Sequence, residues 1–358
     1  MHRMNRREFA RTALGASAVL GVSLPSIAEA SWAQAQSHAP RQGPTDDIYA
    51  NVNPELLPAI KAFPTLAFSQ QILAEARKAP MMPPLAPPAP PLVKRKIPGP
   101  RGAPDVRILV IDPSPGEKSR PLFLHTHGGG YITPNPAMGP FLQRIAMDCH
   151  CVVVSVDYRL APETKFPGSL EDNYAALRWA HSNAEMLGID RKRIAVGGES
   201  AGGGHAAALA IHARDRGEIP IAFQMLIYPM LDDRTGSTRP APLAVGKFVW
   251  IAESNRFGWT ALLGVPAGSA DVPKGSVPAR VHSVAGLPPA YIGVGSIDLF
   301  VNEDIEYARR LIDAGIPTEL VIVPGAYHGF DILVPDTKIS RWFTDSWHRA
   351  LQAAFSQV

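Results

Sequence analysis

Cysteine is almost absent: Cys149 and Cys151 are the only two in the chain. Two positions apart at the start of one strand-like run, they would share a face roughly 6–7 Å apart, where a bridge would be strained. They read as small apolar packing residues, so no disulfide framework is expected. Charge of one sign is equally scarce. The formal net charge is +3 over 358 residues, and Arg3, Arg6, Arg7 and Arg11 crowd into the first 35 positions. The remainder is nearly neutral, which leaves nucleic acid out of the expected partners. No apolar run approaches the ~20 residues that span a bilayer, so stable membrane insertion is not expected. No internal repeat is visible. What the chain does have is bulk: 46% hydrophobic residues, enough for one large α/β domain or two smaller ones.

The N-terminus reads as an address. Arg6-Arg7, with Phe9 two positions on, precedes a short glycine-containing apolar stretch from Ala13 to Leu24. Two small-x-small cleavage candidates follow, ending at Ala30 and Ala35. The arrangement resembles a bacterial twin-arginine export signal, which carries proteins already folded. An ordinary secretory signal, or an amphipathic helix of the mature chain, is the alternative. The expectation is an exported protein, periplasmic or secreted.

Residues 46–79 have helical character, and the proline-rich stretch 79–92 reads as an extended, unpaired strap. From there apolar runs recur at 106–111, 121–127, 151–156, 193–198, 223–228, 290–295 and 319–324. Helical stretches separate most of them. One opens at Ser169-x-x-Asp172, a capping-box pattern, places Leu170, Tyr174 and Leu177 on one face and stops at Gly188. This alternation predicts an α/β fold, a mostly parallel central sheet with helices on both faces. The span 229–288 breaks the rhythm as an insertion, within which 245–264 reads as a helix.

Residues 195–208, AVGGESAGGGHAAA, crowd glycine between a strand and a helix. A phosphate loop would need Lys and Ser or Thr where Gly203 and Gly204 stand. A dinucleotide fingerprint at Gly202, Gly204 and Ala207 would lie inside the helix rather than open it. Gly198-Glu199-Ser200-Ala201-Gly202 fits another template. A reactive serine held at a sharp strand-to-helix turn is strained, and the residues two before and two after must be glycine to avoid a clash. Gly197 is expected to end the strand, with Gly203 and Gly204 letting the helix pack closely.

Such a serine needs an acid and then a histidine later in the chain. His328 follows the last strand, whereas His348 sits in an amphipathic terminal helix. Asp298 follows the preceding strand; Glu303, Asp304 and Asp232 are its competitors, and a helix N-cap is its bland alternative. Gly128-Gly129-Gly130, after the run 121–127, offers side-chain-free amides to an oxyanion. His125 and His127 share a face, yet no further ligand cluster joins them. They are expected to hydrogen-bond and fix the glycine loop rather than bind metal.

Taken together, HGGGY (127–131), DYRLAPE (157–163), GESAGG (198–203), LPPAYIGVGSIDLF (287–300) and YHGF (327–330) resemble the hormone-sensitive-lipase-like esterases of the α/β-hydrolase superfamily, from about residue 50 onward. The resemblance implies Ser200 as nucleophile, Asp298 as acid and His328 as base. Gly129, Gly130 and Ala201 would be the oxyanion donors, with Gly128 a further candidate. It implies a small-molecule ester substrate, no cofactor, and cap helices from residues 36–92 and about 229–280 over a catalytic domain spanning 93–358. Short-to-medium acyl chains are expected. An amide hydrolase, or a non-catalytic receptor like the plant gibberellin receptors, would be the alternatives, and a homo-oligomer is left open. Three features depart from the family: Glu199 stands where Asp or Thr is usual, Asn302 where an acid is, and Gly204-His205 where Asn-Leu is.

Overall fold

The computed structural model describes residues 47–63, 65, 67–78, 90–135 and 138–356. The expected export signal and most of the proline-rich strap lie outside the described residues. Two short helices come first, α1 (Leu57–Ala62) and α2 (Gln70–Lys78). Eight strands then form one sheet in the order β1-β2-β4-β3-β5-β6-β7-β8. These are β1 (Leu92–Ile97), β2 (Val106–Ile111), β3 (Arg120–Thr126), β4 (Val152–Asp157), β5 (Ile189–Glu199), β6 (Phe223–Ile227), β7 (Ala290–Gly295) and β8 (Thr318–Val323). β1 and β2 pair antiparallel, as do β2 and β4; every pairing from β4 to β8 is parallel.

The sheet's two faces explain its apolar runs. Leu122, Leu124, Val152, Val154 and Val156 feed one buried cluster, and their neighbours Phe123 and Val153 feed another on the opposite face. Side chains alternate across a strand, so a strand covered on both faces must be apolar at every position. β1 was not visible as a strand because its sequence, LVKRKI, exposes Lys94, Arg95 and Lys96. Charged side chains on an edge strand keep it from pairing with other chains.

Helices α3 (Gly139–Asp148), α4 (Gly168–Ser182), α5 (Ala184–Leu187), α6 (Ala201–Arg216), α7 (Ala252–Leu263), α8 (Val301–Asp313), α9 (Phe330–Leu333) and α10 (Lys338–Ser356) complete the architecture. The capping box expected at Ser169 and Asp172 does not form: α4 starts at Gly168, and no side chain caps it. Asp172 is instead buried against Arg159, accepting from its backbone N–H at 3.0 Å and its Nη2 at 2.7 Å. Leu170, Tyr174 and Leu177 are buried on α4 as expected. The helix breaks at Asn183, and the Gly188 stop belongs to the separate turn α5, where Gly188 takes φ 64°. Nor is 245–264 a single helix. Gly246 and Val249 hold positive φ, 67° and 60°, so α7 begins only at Ala252. Cys149 and Cys151 are buried free thiols, and burial pushes Cys149 up to about 12.

A third cluster lies beyond the carboxyl ends of the strands. There Leu73 of α2 and Trp259 and Leu262 of α7 pack with Tyr131, Ala201, Trp250 and Phe300. Arg77 fastens α2 to this end of the sheet: it donates to Ile132 O at 2.7 Å and Ala161 O at 2.8 Å, and pairs with Glu163 at 2.7 Å.

Candidate active site

Ser200 sits between β5 and α6 with φ 57° and ψ −124°, a conformation that costs a non-glycine residue about 1–3 kcal/mol. Surrounding bonds hold it there. Its N–H donates to Ile227 O at 2.9 Å, and its carbonyl accepts from Gly204 N and Met230 N, both at 3.0 Å. A Cβ at either Gly198 or Gly202 would overlap the Thr126 carbonyl oxygen, which is why both positions flanking the serine are glycine. Gly202→Ala is expected to lower the urea unfolding midpoint by the equivalent of at least about 2 kcal/mol, since rigid backbone cannot yield. An unchanged midpoint would contradict this. Gly203 and Gly204 do give close packing, a Cβ at Gly203 lying 2.8 Å from Pro229 Cβ. Gly197 does not end the strand as expected. It lies inside β5, where a Cβ would press on Met225 O at 2.7 Å and on the Phe123 ring.

β7 and β8 end beside this turn, and each delivers one side chain just after it. His328 Nε2 lies 2.9 Å from Ser200 Oγ, and His328 Nδ1 lies 2.8 Å from Asp298 Oδ2. Asp298 is also held locally, its Oδ1 accepting the Phe300 N–H at 3.0 Å. All three residues are buried. The edges of Tyr228 and Phe300 meet the His328 ring at centroid distances of 4.8 and 5.2 Å and fix its plane. Tyr228 is steadied by donating to Asp331 Oδ1 at 3.0 Å. Burial pushes the Asp331 carboxyl up to about 6.

The competing acids are occupied elsewhere. Asp232 pairs with Arg234 at 2.8 Å and Arg239 at 3.1 Å. Glu303 accepts the N–H groups of Leu231 and Asp232 at 2.6 and 3.1 Å. Asp304 is fully buried, and burial raises its pKa well above the usual carboxylate range. Asn302 is exposed, and the Asp298 carboxylate bonds to His328 and the Phe300 N–H. His348 is buried beside Asp148 at 3.2 Å on the far helix α10, and burial pulls it down to about 4.

The glycine loop approaches the serine closely: a Cβ on Gly128 would sit 3.4 Å from Ser200 Cβ. Gly128 departs from its expected role, because its N–H is committed to Glu199 Oε1 at 2.8 Å. The N–H groups of Gly129, Gly130 and Ala201 donate to no acceptor among the described residues. Positive φ at Gly129 (119°) and Gly130 (60°) turns those amides, and a side chain at Gly130 would collide with the Trp250 ring. Trp250, missed in the sequence, packs against the tilted ring of Phe68 at a centroid distance of 5.6 Å.

His125 and His127 do brace the loop. His125 bridges Ser155 Oγ at 2.8 Å and Glu199 Oε2 at 3.0 Å. His127 Nδ1 meets Gly128 O at 2.7 Å, and its ring stacks on Tyr158 at 4.3 Å. Among the described residues no group of three or more His, Cys, Asp or Glu is arranged to hold a metal ion. His205, the departure in α6, fits between the ring edges of Tyr131 and Tyr158. Burial pushes it down to about 3, and His127 nearby adds to the shift. The unfolded chain binds that proton near about 6.5. Between those values the unfolded state holds more protons, so stability falls as the pH falls, by about 1.4 kcal/mol per unit. His205→Asn should therefore flatten the loss of thermal midpoint between about pH 7 and about pH 5. An equally steep loss in the variant would refute this.

Comparison with known proteins gives the family. A family model described as alpha/beta hydrolase fold matches residues 123–332. Esterase LipI of Mycobacterium tuberculosis is 34% identical over 302 residues, 80% of this chain and 90% of that protein. Carboxylesterase NlhH of the same organism is 35% identical over 247 residues, 65% of this chain and 75% of that protein. Among solved structures, a bacterial heroin esterase superposes with a TM-score of 0.78 at 34% identity, covering 86% of this chain and 99% of that one. The chain belongs to the alpha/beta-hydrolase family, among its hormone-sensitive-lipase-like carboxylesterases.

Proposed function

We propose that the protein is a serine carboxylesterase that hydrolyses short-to-medium-chain acyl esters through an acyl-enzyme on Ser200. The observation that carries this reading is the unbroken line from Asp298 through His328 to Ser200, with bonds of 2.8 and 2.9 Å. His328 Nε2 takes the hydroxyl proton as Ser200 Oγ attacks the ester carbonyl carbon. The amides of Gly129, Gly130 and Ala201 receive the oxyanion, and the start of α6 adds its positive dipole end. Collapse of the tetrahedral intermediate breaks the ester C–O bond, and His328 returns its proton to the leaving alcohol. Water, activated by the same imidazole, then releases the acid. Asp298 keeps the ring oriented and stabilises its cationic form.

The Trp250 ring against Gly130, backed by the Phe68 ring, supports a confined acyl site. The segments carrying α1 and α2, with residues 229–280, would act as the cap. Among p-nitrophenyl esters from acetate to palmitate, turnover should be greatest on the short acyl chains. A preference for palmitate would overturn the chain-length reading. Comparable rates on anilides would favour amide hydrolysis instead.

The N-terminal leader supports export as a folded protein. N-terminal sequencing of periplasmic protein should begin after Ala30 or Ala35; an intact Met1 there would refute cleavage.

A further inference from the structure

Three consecutive glycines have no side chains with which to hold themselves in place, yet oxyanion donors must be fixed before reaction. What holds them can be read from the bonds around the loop. The Gly129 carbonyl accepts from the N–H groups of Ile132 and Thr133 and from Thr133 Oγ1. These bonds close the loop on itself. The Tyr158 hydroxyl donates to His127 O at 2.6 Å, and His127 Nδ1 meets Gly128 O, tying the loop to the residue just after β4 and to its own neighbour. Thr126 Oγ1 donates to Gly202 O at 2.7 Å, one step before the loop begins. Glu199 differs from all of these: it precedes Ser200 directly, and its carboxylate reaches Gly128 itself.

We propose that Glu199 is a positioning residue that locks the nucleophile turn and the glycine loop into one unit, setting the Gly129 and Gly130 amides relative to Ser200 Oγ. Its side chain is buried, and both oxygens are used, Oε1 by Gly128 N–H and Oε2 by His125 Nε2. A carboxylate can only accept, so His125 Nε2 donates, while Nδ1 faces Ser155 Oγ at 2.8 Å. β3 and β4 thereby clamp the carboxylate from behind while it holds the loop in front. Ground-state substrate makes little use of an oxyanion site, whereas the tetrahedral intermediate depends on it. Loss of Glu199 should therefore lower kcat and leave KM nearly unchanged. The proposal rests on the reading of those amides as oxyanion donors to a Ser200 intermediate.

Glu199→Gln has the same length and keeps an acceptor for Gly128. Its amide N–H would face His125, which can answer by carrying its proton on Nδ1 and donating to Ser155. Charge is lost but the geometry survives. Glu199→Ala and Glu199→Met lose the acceptor, and Met keeps most of the volume. Steady-state hydrolysis of p-nitrophenyl butyrate, with thermal unfolding alongside, separates the cases. Expected is a fall in kcat of about 10²-fold for Ala and Met, with KM within a few-fold, as for an ångström-scale misplacement. The Gln variant should recover most of that loss. Full turnover in a folded Ala or Met variant would overturn the proposal, as would a Gln variant as slow as Ala. Failure of both Ala and Met to unfold cooperatively would assign Glu199 to the fold alone and overturn it too. An active Ser200→Ala control would instead bring down the underlying esterase reading, so the two failures are distinguishable.

Discussion

Ser200→Ala is expected to lower kcat on p-nitrophenyl butyrate by about 10⁴-fold or more, while the protein keeps its fold. The substitution removes one oxygen atom and no packing. Alanine can occupy the same strained turn, because the bonds that impose φ 57° run through backbone atoms of residue 200, Ile227, Gly204 and Met230. What disappears is the atom 2.9 Å from His328 Nε2. Without it the histidine has no nucleophile to deprotonate, and only the residual effect of the oxyanion donors and of substrate binding is left. Members of such a unit act together, so His328→Ala added to Ser200→Ala should cost little more. Undiminished turnover in the single variant would place the chemistry elsewhere.

The second large effect separates two acids that the sequence offered for one role. Asp298→Asn should cut kcat by about 10⁴-fold, because an amide opposite His328 Nδ1 favours the wrong tautomer and no longer stabilises the imidazolium. The Phe300 N–H that Asp298 Oδ1 accepts at 3.0 Å can still find the amide oxygen, so folding should be little affected. Asp232→Asn should do the opposite. Asp232 is buried and answers two arginines, so loss of its charge deprives Arg234 of its ion pair and leaves Arg239 with Glu306 alone. Both arginines reach solvent, so the cost is that of weakened hydrogen bonds to a charged group, about 1.5 kcal/mol, read as a lowered unfolding midpoint with kcat little changed. A reversed pattern, with Asp232→Asn inactive and Asp298→Asn merely less stable, would exchange the assignments.

The reading of the sequence succeeded where one residue type has one physical reason to be present. Gly198 and Gly202 face the Thr126 carbonyl, where no side chain fits, and they marked the strand-to-helix turn at Ser200. Asp298 and His328 could be found because the ends of β7 and β8 are adjacent in a parallel sheet. The reading failed where tertiary partners decide. Asp172 matched a capping box but pairs with Arg159 from the loop after β4. Gly128 matched an oxyanion donor until the reach of Glu199 was visible. β1 hid behind three charged side chains because only one edge of it is paired. Trp250 carried no motif at all. Its place against Gly130 depends on a left-handed turn at Val249 that no local pattern announced.

The central claim, an acyl-enzyme on Ser200, is tested most directly by trapping that oxygen. Intact-mass analysis after incubation with a p-nitrophenyl phosphonate ester should show one phosphonyl group per chain with release of p-nitrophenol. Peptide mapping should place the group on Ser200, and Ser200→Ala should take up none. An adduct on any other residue, or a chain that hydrolyses esters yet carries no adduct, would contradict the account.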